Sequence, residues 1–378
     1  MRFAFFYHSV VSDWNHGNAH FLRGVVRELR RRGHEVCVYE PKDGWSRRNL
    51  LAEHGTAPLA AFRSAFPDIV WRDYRLDALD LDAVLDGVDV VLVHEWSDPR
   101  LVAALGARRI LGGRFLLLFH DTHHRSVTAP EAMAAFDLDG YDGVLAFGEV
   151  IREIYLRRGW SRRAWTWHEA ADASLFRPLP QERRRGDLVW IGNWGDGERA
   201  AELRAFLLSP IERLRLRAEI YGVRYPAEGR AAIAKAGAHY GGWLANHRVP
   251  EVFARFGATV HVPRRPYVEA LPGIPTIRVF EALACGIPLI CAQWHDAEGL
   301  FTPGRDYLLA KDGEEMTRAL ENLLNDTDQA VELARNGRAT ILRRHTCAHR
   351  VDELLAIRAE LRGAGTAAGR DARPAKEA

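Results

Sequence analysis

Short, unbroken apolar runs recur along this chain, each followed by a loop and then by apolar residues at helical spacing. A strand that reads as continuous hydrophobe, rather than alternating with polar residues, is buried on both faces. Parallel sheets with helices on both sides bury strands that way, so the pattern predicts an α/β fold. Residues 3–7 form the first run. A polar loop from His8 to about Asn18 follows, and Phe21, Leu22, Val25, Val26 and Leu29 then repeat at helical spacing. Arg30, Arg31 and Arg32 close that helix with cations in its last turn, and Gly33 lies just beyond. The run at 35–39 completes a strand–helix–strand unit.

Further runs at 88–94, 115–119 and 143–147 extend the pattern, with a helix at about 149–158, whereas 40–85 lack comparable regularity. Pro178, Pro180 and the charged stretch after them have linker composition. The alternation then restarts. Strands are expected at 188–191, 219–222, 259–262 and 288–291. Helices are expected at 198–208, 227–237, 276–284, 313–325, 328–343 and 346–361. The expectation is two Rossmann-like parallel α/β domains, 1–172 and 187–345, joined by a linker at 173–186. A last helix at 346–362 and a disordered tail at 363–378, rich in Gly, Ala and charge, complete the chain.

Composition removes several classes. Lys plus Arg is 52 against 50 for Asp plus Glu, a net charge of +2, without the basic excess of a nucleic-acid binder. Arginine clusters still make local anion sites. Cys37, Cys285, Cys291 and Cys347 form no C-x-x-C pair, so they read as reduced thiols of a cytoplasmic protein. No run of about 18 apolar residues suggests a membrane span, and the N-terminal run is too short for a signal peptide. An amphipathic helix leaves peripheral membrane contact open.

In open α/β sheets ligands sit at the carboxyl ends of strands, so the loops after strands carry the chemistry. Gly17 and Asn18 precede a helix, where a phosphate would meet free backbone N–H groups; turn geometry alone explains them equally. His120, Asp121, His123, His124 and Arg125 follow a strand. They read as a metal site, as a polar wall for sugar hydroxyls with one acid or base, or as a solvated loop with a capping Asp. The segment 190–199 spaces its glycines G-x-x-G-x-G, which is not the dinucleotide fingerprint, but suits a diphosphate cradle with Asn193 and with Arg199 as counter-charge. At 271–290, Pro275 suits a first helical turn and Gly286 a helix end. Glu281 there either reaches an interdomain cleft and accepts from vicinal ribose hydroxyls or forms an i,i+3 ion pair with Arg278.

Together these residues resemble the GT-B glycosyltransferases, specifically the CgeB-like group allied to the large retaining family that uses nucleotide sugars. Asp172, Phe176 and Pro178 resemble that family's interdomain D-x-x-x-F-x-P; residues 240–243 and 260–263 resemble the segments leading into its donor site; residues 280–288 are close to its signature; residues 345–350 resemble the start of the helix that crosses back to the N-terminal domain. The resemblance implies an N-terminal acceptor domain, a C-terminal nucleotide-sugar domain, and Glu281 on the donor ribose. Gly273, Ile274, Pro275 and Thr276 would lie along the sugar and diphosphate, Gly17 with Asn18 under the phosphates, and His120 near the transferred sugar. Asn193 and Arg199 stand where the family has phosphate-binding Arg and Lys, with Arg264, Arg265 and Arg278 as other candidates. The family's second Glu, eight residues before Glu281, is Gly273 here. The implied activity is metal-independent, cofactor-free and retaining transfer from a nucleotide-diphosphate sugar to a glycan, polysaccharide or other cell-surface precursor, with no nucleic-acid partner. An inverting enzyme would need His120 or Asp121 as base. An epimerase or hydrolase on the same fold, and an inactive scaffold, remain open.

Overall fold

The structure, a computed structural model, describes residues 1–15, 17–180 and 184–370, with side chains to residue 363. Two sheets, wholly parallel, organise it. The first holds β1 (Arg2–Phe6), β2 (Glu35–Pro41), β3 (Val70–Tyr74), β4 (Val90–His94), β5 (Leu116–Asp121), β6 (Gly143–Ala146) and β7 (Ala164–Thr166), in the order β3-β2-β1-β4-β5-β6-β7. The second holds β8 (Gly186–Ile191), β9 (Ala218–Tyr221), β10 (His239–Gly242), β11 (Phe256–His261), β12 (Leu289–Ala292) and β13 (Leu308–Ala310), in the order β10-β9-β8-β11-β12-β13. Strand order reverses direction between β1 and β4 and between β8 and β11. Those reversals open a crevice at the carboxyl ends of the strands.

Burial follows the sequence pattern. Along β1, Phe3 and Phe5 enter one core while Ala4 and Phe6 enter another. Along β8, Val189 and Ile191 face one way and Leu188 and Trp190 the other. The core that takes Phe3, Phe5, Val189 and Ile191 is shared by both lobes, with Trp167 and Phe176 between them. The last helix, Cys347–Arg370, crosses back to the first lobe. Thr346 bridges Ala171, Trp167 Nε1 donates to the Arg350 carbonyl at 2.8 Å, and Arg32 Nη2 donates to the Ala348 carbonyl at 3.1 Å.

Four strands were not expected from sequence: β3, β7, β10 and β13. All four are sheet edges. An edge strand is covered less, so it carries no continuous apolar run; β3 reads VWRDY and only Tyr74 in it is buried. The stretch 40–85 also contains helices Trp45–His54 and Ala57–Ala65. The second sheet starts at Gly186, inside the expected linker, whose residues 181–183 lie outside the described residues. The expected 198–208 helix runs on through a π-helical turn at Arg204–Leu208 to Leu214. Helix Cys347–Arg370 continues eight residues past 362; of the expected disordered tail, 371–378 lie outside the described residues.

Two buried charges shape the loop after β1. Glu40 at the end of β2 accepts from the Val10 and Val11 amides, both at 2.7 Å. Arg23 donates to the Val10 carbonyl at 2.7 Å, the Val11 carbonyl at 3.3 Å and Asp13 at 3.0 Å, beneath the rings of Phe62 and Phe66. A strand-end carboxylate and a helix arginine thereby fix where Asp13 and its neighbours point.

Two outcomes follow. A Cβ at Gly24 would collide with Cys347 Sγ and lie 2.8 Å from Asp172 Cβ. Gly24→Ala is therefore expected to cost about 1–3 kcal/mol in urea denaturation, and adding Cys347→Ala should recover part of it; equal stability of Gly24→Ala and wild type would refute the close contact. Burial pushes the Glu40 carboxyl up to about 7, against the two amides. Its folded pKa thus lies above the unfolded value, so its contribution is full at acidic pH and lost as pH rises through neutrality. Relative to Glu40→Gln, wild type should lose on the order of 3 kcal/mol between about pH 5 and about pH 8; parallel pH profiles would remove the assignment.

Candidate active site

The crevice between the lobes encloses about 650 Å³. From the first lobe, the loop after β1 brings Asp13, Trp14, Asn15, Gly17 and Asn18, and the loop after β5 brings Thr122, His123 and His124. From the second, the loop after β8 brings Asn193, Asp196, Glu198 and Arg199, and the loop after β9 brings Val223 and Arg224. The segment after β11 adds Arg264 and Tyr267. The start of helix Ile277–Cys285 brings Thr276, Ile277 and Arg278.

Positive charge concentrates on the second lobe's wall. Arg199 is buried and donates to the Val262 carbonyl at 2.9 Å and to the Asn193 carbonyl and Oδ1 at 2.8 and 2.9 Å. Its guanidinium lies over Trp190, 5.2 Å from the ring centroid. Burial, then Arg264, lowers its pKa to about 10, so it stays cationic at neutral pH. Arg264 donates to Glu198 at 2.8 Å and to Asn193 Oδ1 at 3.0 Å. Asn193 thus aligns two guanidinium groups through one amide oxygen. The N-terminal lobe meets this wall at Gly17. A Cβ there would lie 2.6 Å from Ile277 Cγ2 and 4.0 Å from Arg278 Nη2, so only glycine lets that backbone settle on the helix start. Asn18 Nδ2 donates to Thr122 Oγ1 at 2.6 Å, tying the loops after β1 and β5 together.

Gly17, Asn18, Asn193, Arg199, Thr276 and Arg278 therefore line the crevice. The other expected site residues do not. β5 continues two residues past the expected end, through His120 and Asp121, which pair with β4 and β6 as strand residues. Strand side chains point into covered layers, and both are fully buried. His120 Nδ1 lies 2.9 Å from Tyr7 Oη, and burial holds its pKa near 3, so it is neutral. Asp121 accepts from Tyr155 Oη at 2.9 Å and the His123 amide at 3.1 Å; burial raises its pKa, as it does that of neighbouring Glu95. The polar wall falls to Thr122, His123 and His124 instead. Gly273, Ile274 and Pro275 turn away from the crevice. The Gly273 amide donates to the His295 carbonyl at 2.7 Å, the Glu298 side chain occupies the space beside it, and Ile274 packs onto Gly148.

Glu281, expected on a donor ribose, is not among the residues that line the crevice. Its carboxylate is fully buried behind the crevice wall. Oε1 accepts from His20 Nδ1 at 3.0 Å and from Asn246 Nδ2 at 2.7 Å, and Oε2 pairs with Arg278. The i,i+3 pair is present, and both carboxylate oxygens are taken by protein donors. His20 Nε2 in turn accepts from the Asp172 amide at 2.8 Å, which leaves Nδ1 to donate to Glu281. The Asn246 amide donates to Asp13 at 2.9 Å. The carboxyl pKa is lowered: Arg278 and His20 outweigh the burial that opposes them. Sequence reasoning missed His20, Asp13, Asn246 and Glu169. Only His20 carried a signal, a polar residue among the apolar positions of its helix. Among the described residues, no group of three or more His, Cys, Asp or Glu is placed to hold a metal ion, and no helix is long and apolar enough to cross a membrane.

Two family models match, one in each half of the chain. Residues 17–175 match "Glycosyltransferase Family 4" and residues 199–356 match "Glycosyl transferase-like". No curated protein matches the chain in sequence. Among solved structures, Anabaena HepE in complex with UDP and glucose is similar at a TM-score of 0.66 and 14% identity, over 94% of this chain and 99% of that one. Sucrose-phosphate synthase of Thermosynechococcus elongatus is similar at 0.62 and 16%, over 96% and 100%. An alpha-glucosyltransferase in complex with UDP and a 13-mer DNA is similar at 0.68 and 12%, over 95% and 99%. Identities this low establish the fold, and the family models supply the chemistry that goes with it: the chain belongs to the glycosyltransferases of GT-B fold.

Proposed function

We propose that this protein transfers a sugar from a nucleoside diphosphate donor, with a UDP-sugar the first to test, to a glycan or small-molecule acceptor, with retention of configuration. The observation that carries this reading is the convergence of Arg199, Arg264 and Arg278 with the Gly17 backbone on the start of helix Ile277–Cys285. As the anomeric C–O bond breaks, negative charge grows on the departing diphosphate. Fixed guanidinium groups and the positive end of that helix stabilise that charge without reorganising. The reading assigns the leaving group to arginines rather than to a bound metal ion.

Three similar solved structures contain UDP, one with glucose and one with DNA, which supports UDP as the first nucleotide. DNA is not carried over, because this chain lacks a basic excess. A retaining reaction asks for no base on the first lobe. An inverting one would draw it from His123 or His124, since His120 and Asp121 lie beneath the wall. The CgeB-like assignment rests on residues 280–288 and 345–350 and belongs to the same reading, as does a cytoplasmic location. Glu281 enters as a positioning residue that fixes Arg278 at the wall.

Calorimetry with UDP, GDP and ADP is the direct test. Wild type should bind at least one, and Arg264→Ala should weaken it by about 1–3 kcal/mol, whereas Arg265→Ala, outside the crevice lining, should leave it unchanged. Absence of binding to every nucleotide diphosphate would overturn the proposal. Glu281→Ala leaves Arg278 unpaired and empties a buried ionic cage, so unfolding free energy should fall by about 3–5 kcal/mol. A loss under about 1 kcal/mol would show that the cage holds nothing together.

A further inference from the structure

Of the carboxylates that line the crevice among the described residues, three are committed to partners. Asp13 accepts from Arg23 and from the Asn246 amide. Asp196 pairs with Arg224 at 2.9 Å, and Glu198 with Arg264 at 2.8 Å. Glu169 differs. It lies on the segment joining the lobes, is 3% exposed, and still lines the crevice. Among the described residues, its Oε1 has no hydrogen-bond partner. A buried carboxyl oxygen left unpaired is costly, and such groups in a binding crevice point to an absent ligand.

The surroundings narrow what that ligand group is. Burial, with the charge of Glu281 behind it, pushes the Glu169 carboxyl well above the usual carboxylate range, against the Ile277 amide and Arg278. A neutral carboxyl both donates and accepts. It does not compete with the diphosphate for the arginines, and a hydroxyl is its natural complement. Phe147 and Tyr267, with ring centroids 6.1 Å apart, also line the crevice and give an apolar surface beside polar groups, the usual make-up of a small-molecule subsite. We propose that Glu169 hydrogen-bonds a hydroxyl of the transferred sugar and so selects and orients it. This assignment rests on the transferase reading above.

The test compares nucleotide with nucleotide sugar on the full chain. Glu169→Ala and Glu169→Gln are titrated with UDP and UDP-glucose, or with the nucleotide and sugar nucleotide that wild type prefers, alongside thermal melts. UDP affinity should stay within about twofold of wild type in both variants, while affinity for the sugar nucleotide should drop about tenfold in Glu169→Ala and less in Glu169→Gln. Unchanged sugar-nucleotide affinity in Glu169→Ala would overturn the assignment. An equal loss of UDP and UDP-sugar affinity would also overturn it, by placing Glu169 with the diphosphate. If Glu169→Ala does not fold, the same comparison in Glu169→Gln decides, with wild-type values for both ligands as the refuting result. Failure of wild type to bind any nucleotide would instead sink the transferase reading itself.

Discussion

A carboxylate sealed from water must find its compensation inside the protein, and at Glu281 that requirement joins the two lobes. Oε1 draws on His20 from the first lobe's first helix and on Asn246 from the second lobe, while Oε2 draws on Arg278 from its own helix. His20 then anchors the Asp172 amide at the lobe junction, and its ring stacks on Phe176 at 3.7 Å. Asn246 continues to Asp13 and through it to Arg23. One buried negative charge therefore fixes the loop after β1, the interlobe segment and the start of helix Ile277–Cys285 in register. A buried charge with several donors is held more firmly than its net stabilisation suggests, because removing any one donor leaves that charge under-compensated.

That register is what presents Arg278 and Gly17 to the crevice together. Arg278 is held from behind by Glu281, and Gly17 meets Ile277 at a distance no side chain permits. On the other side, Asn193 orients Arg199 and Arg264 through a single oxygen. Preorganisation of this kind places charge before the substrate arrives, so little free energy is spent on arranging it during the reaction.

How much of this was legible depends on where each residue lies in the layers. Interior strands announce themselves, because burial on both faces demands unbroken apolar runs. The edge strands β3, β7, β10 and β13 do not, because half-exposure relaxes the demand. The segments around Asp172 and His345 each carry a weak interdomain resemblance, and in space they pair: the Ala171 amide donates to the His345 carbonyl, and the Cys347 amide to the Ala171 carbonyl, both at 2.9 Å. The loops after strands do line the crevice, but strand length was not legible. Two extra strand residues in β5 turn His120 and Asp121 from wall into core. Glu281 and Arg278 were recognised as partners in one competition, and the ion pair won because His20 and Asn246, distant in sequence, close the carboxylate off. Glu169 gave no signal, since nothing local in sequence shows that an interlobe segment floors a crevice.

The lobes are joined at back and front by different kinds of contact. At the back lie the Glu281 cage and the shared core, where breaking a buried pair costs about 3–5 kcal/mol. At the front, Arg224 of the second lobe lies over Trp45 of the first at 5.5 Å, and Asn193 donates to Asn15 at 3.0 Å. Trp45 is 44% exposed, and a cation–π contact at such a site contributes only about 0.5–1 kcal/mol. Arg224 and its partner Asp196 both hold positive φ, +61° and +51°, a conformation that costs a side-chain-bearing residue stability and recurs at ligand clamps. Beside them Trp14 and Leu50 of the first lobe pack on Val223 of the second, with Trp243 against them, so apolar burial as well as charge joins the lobes at the mouth.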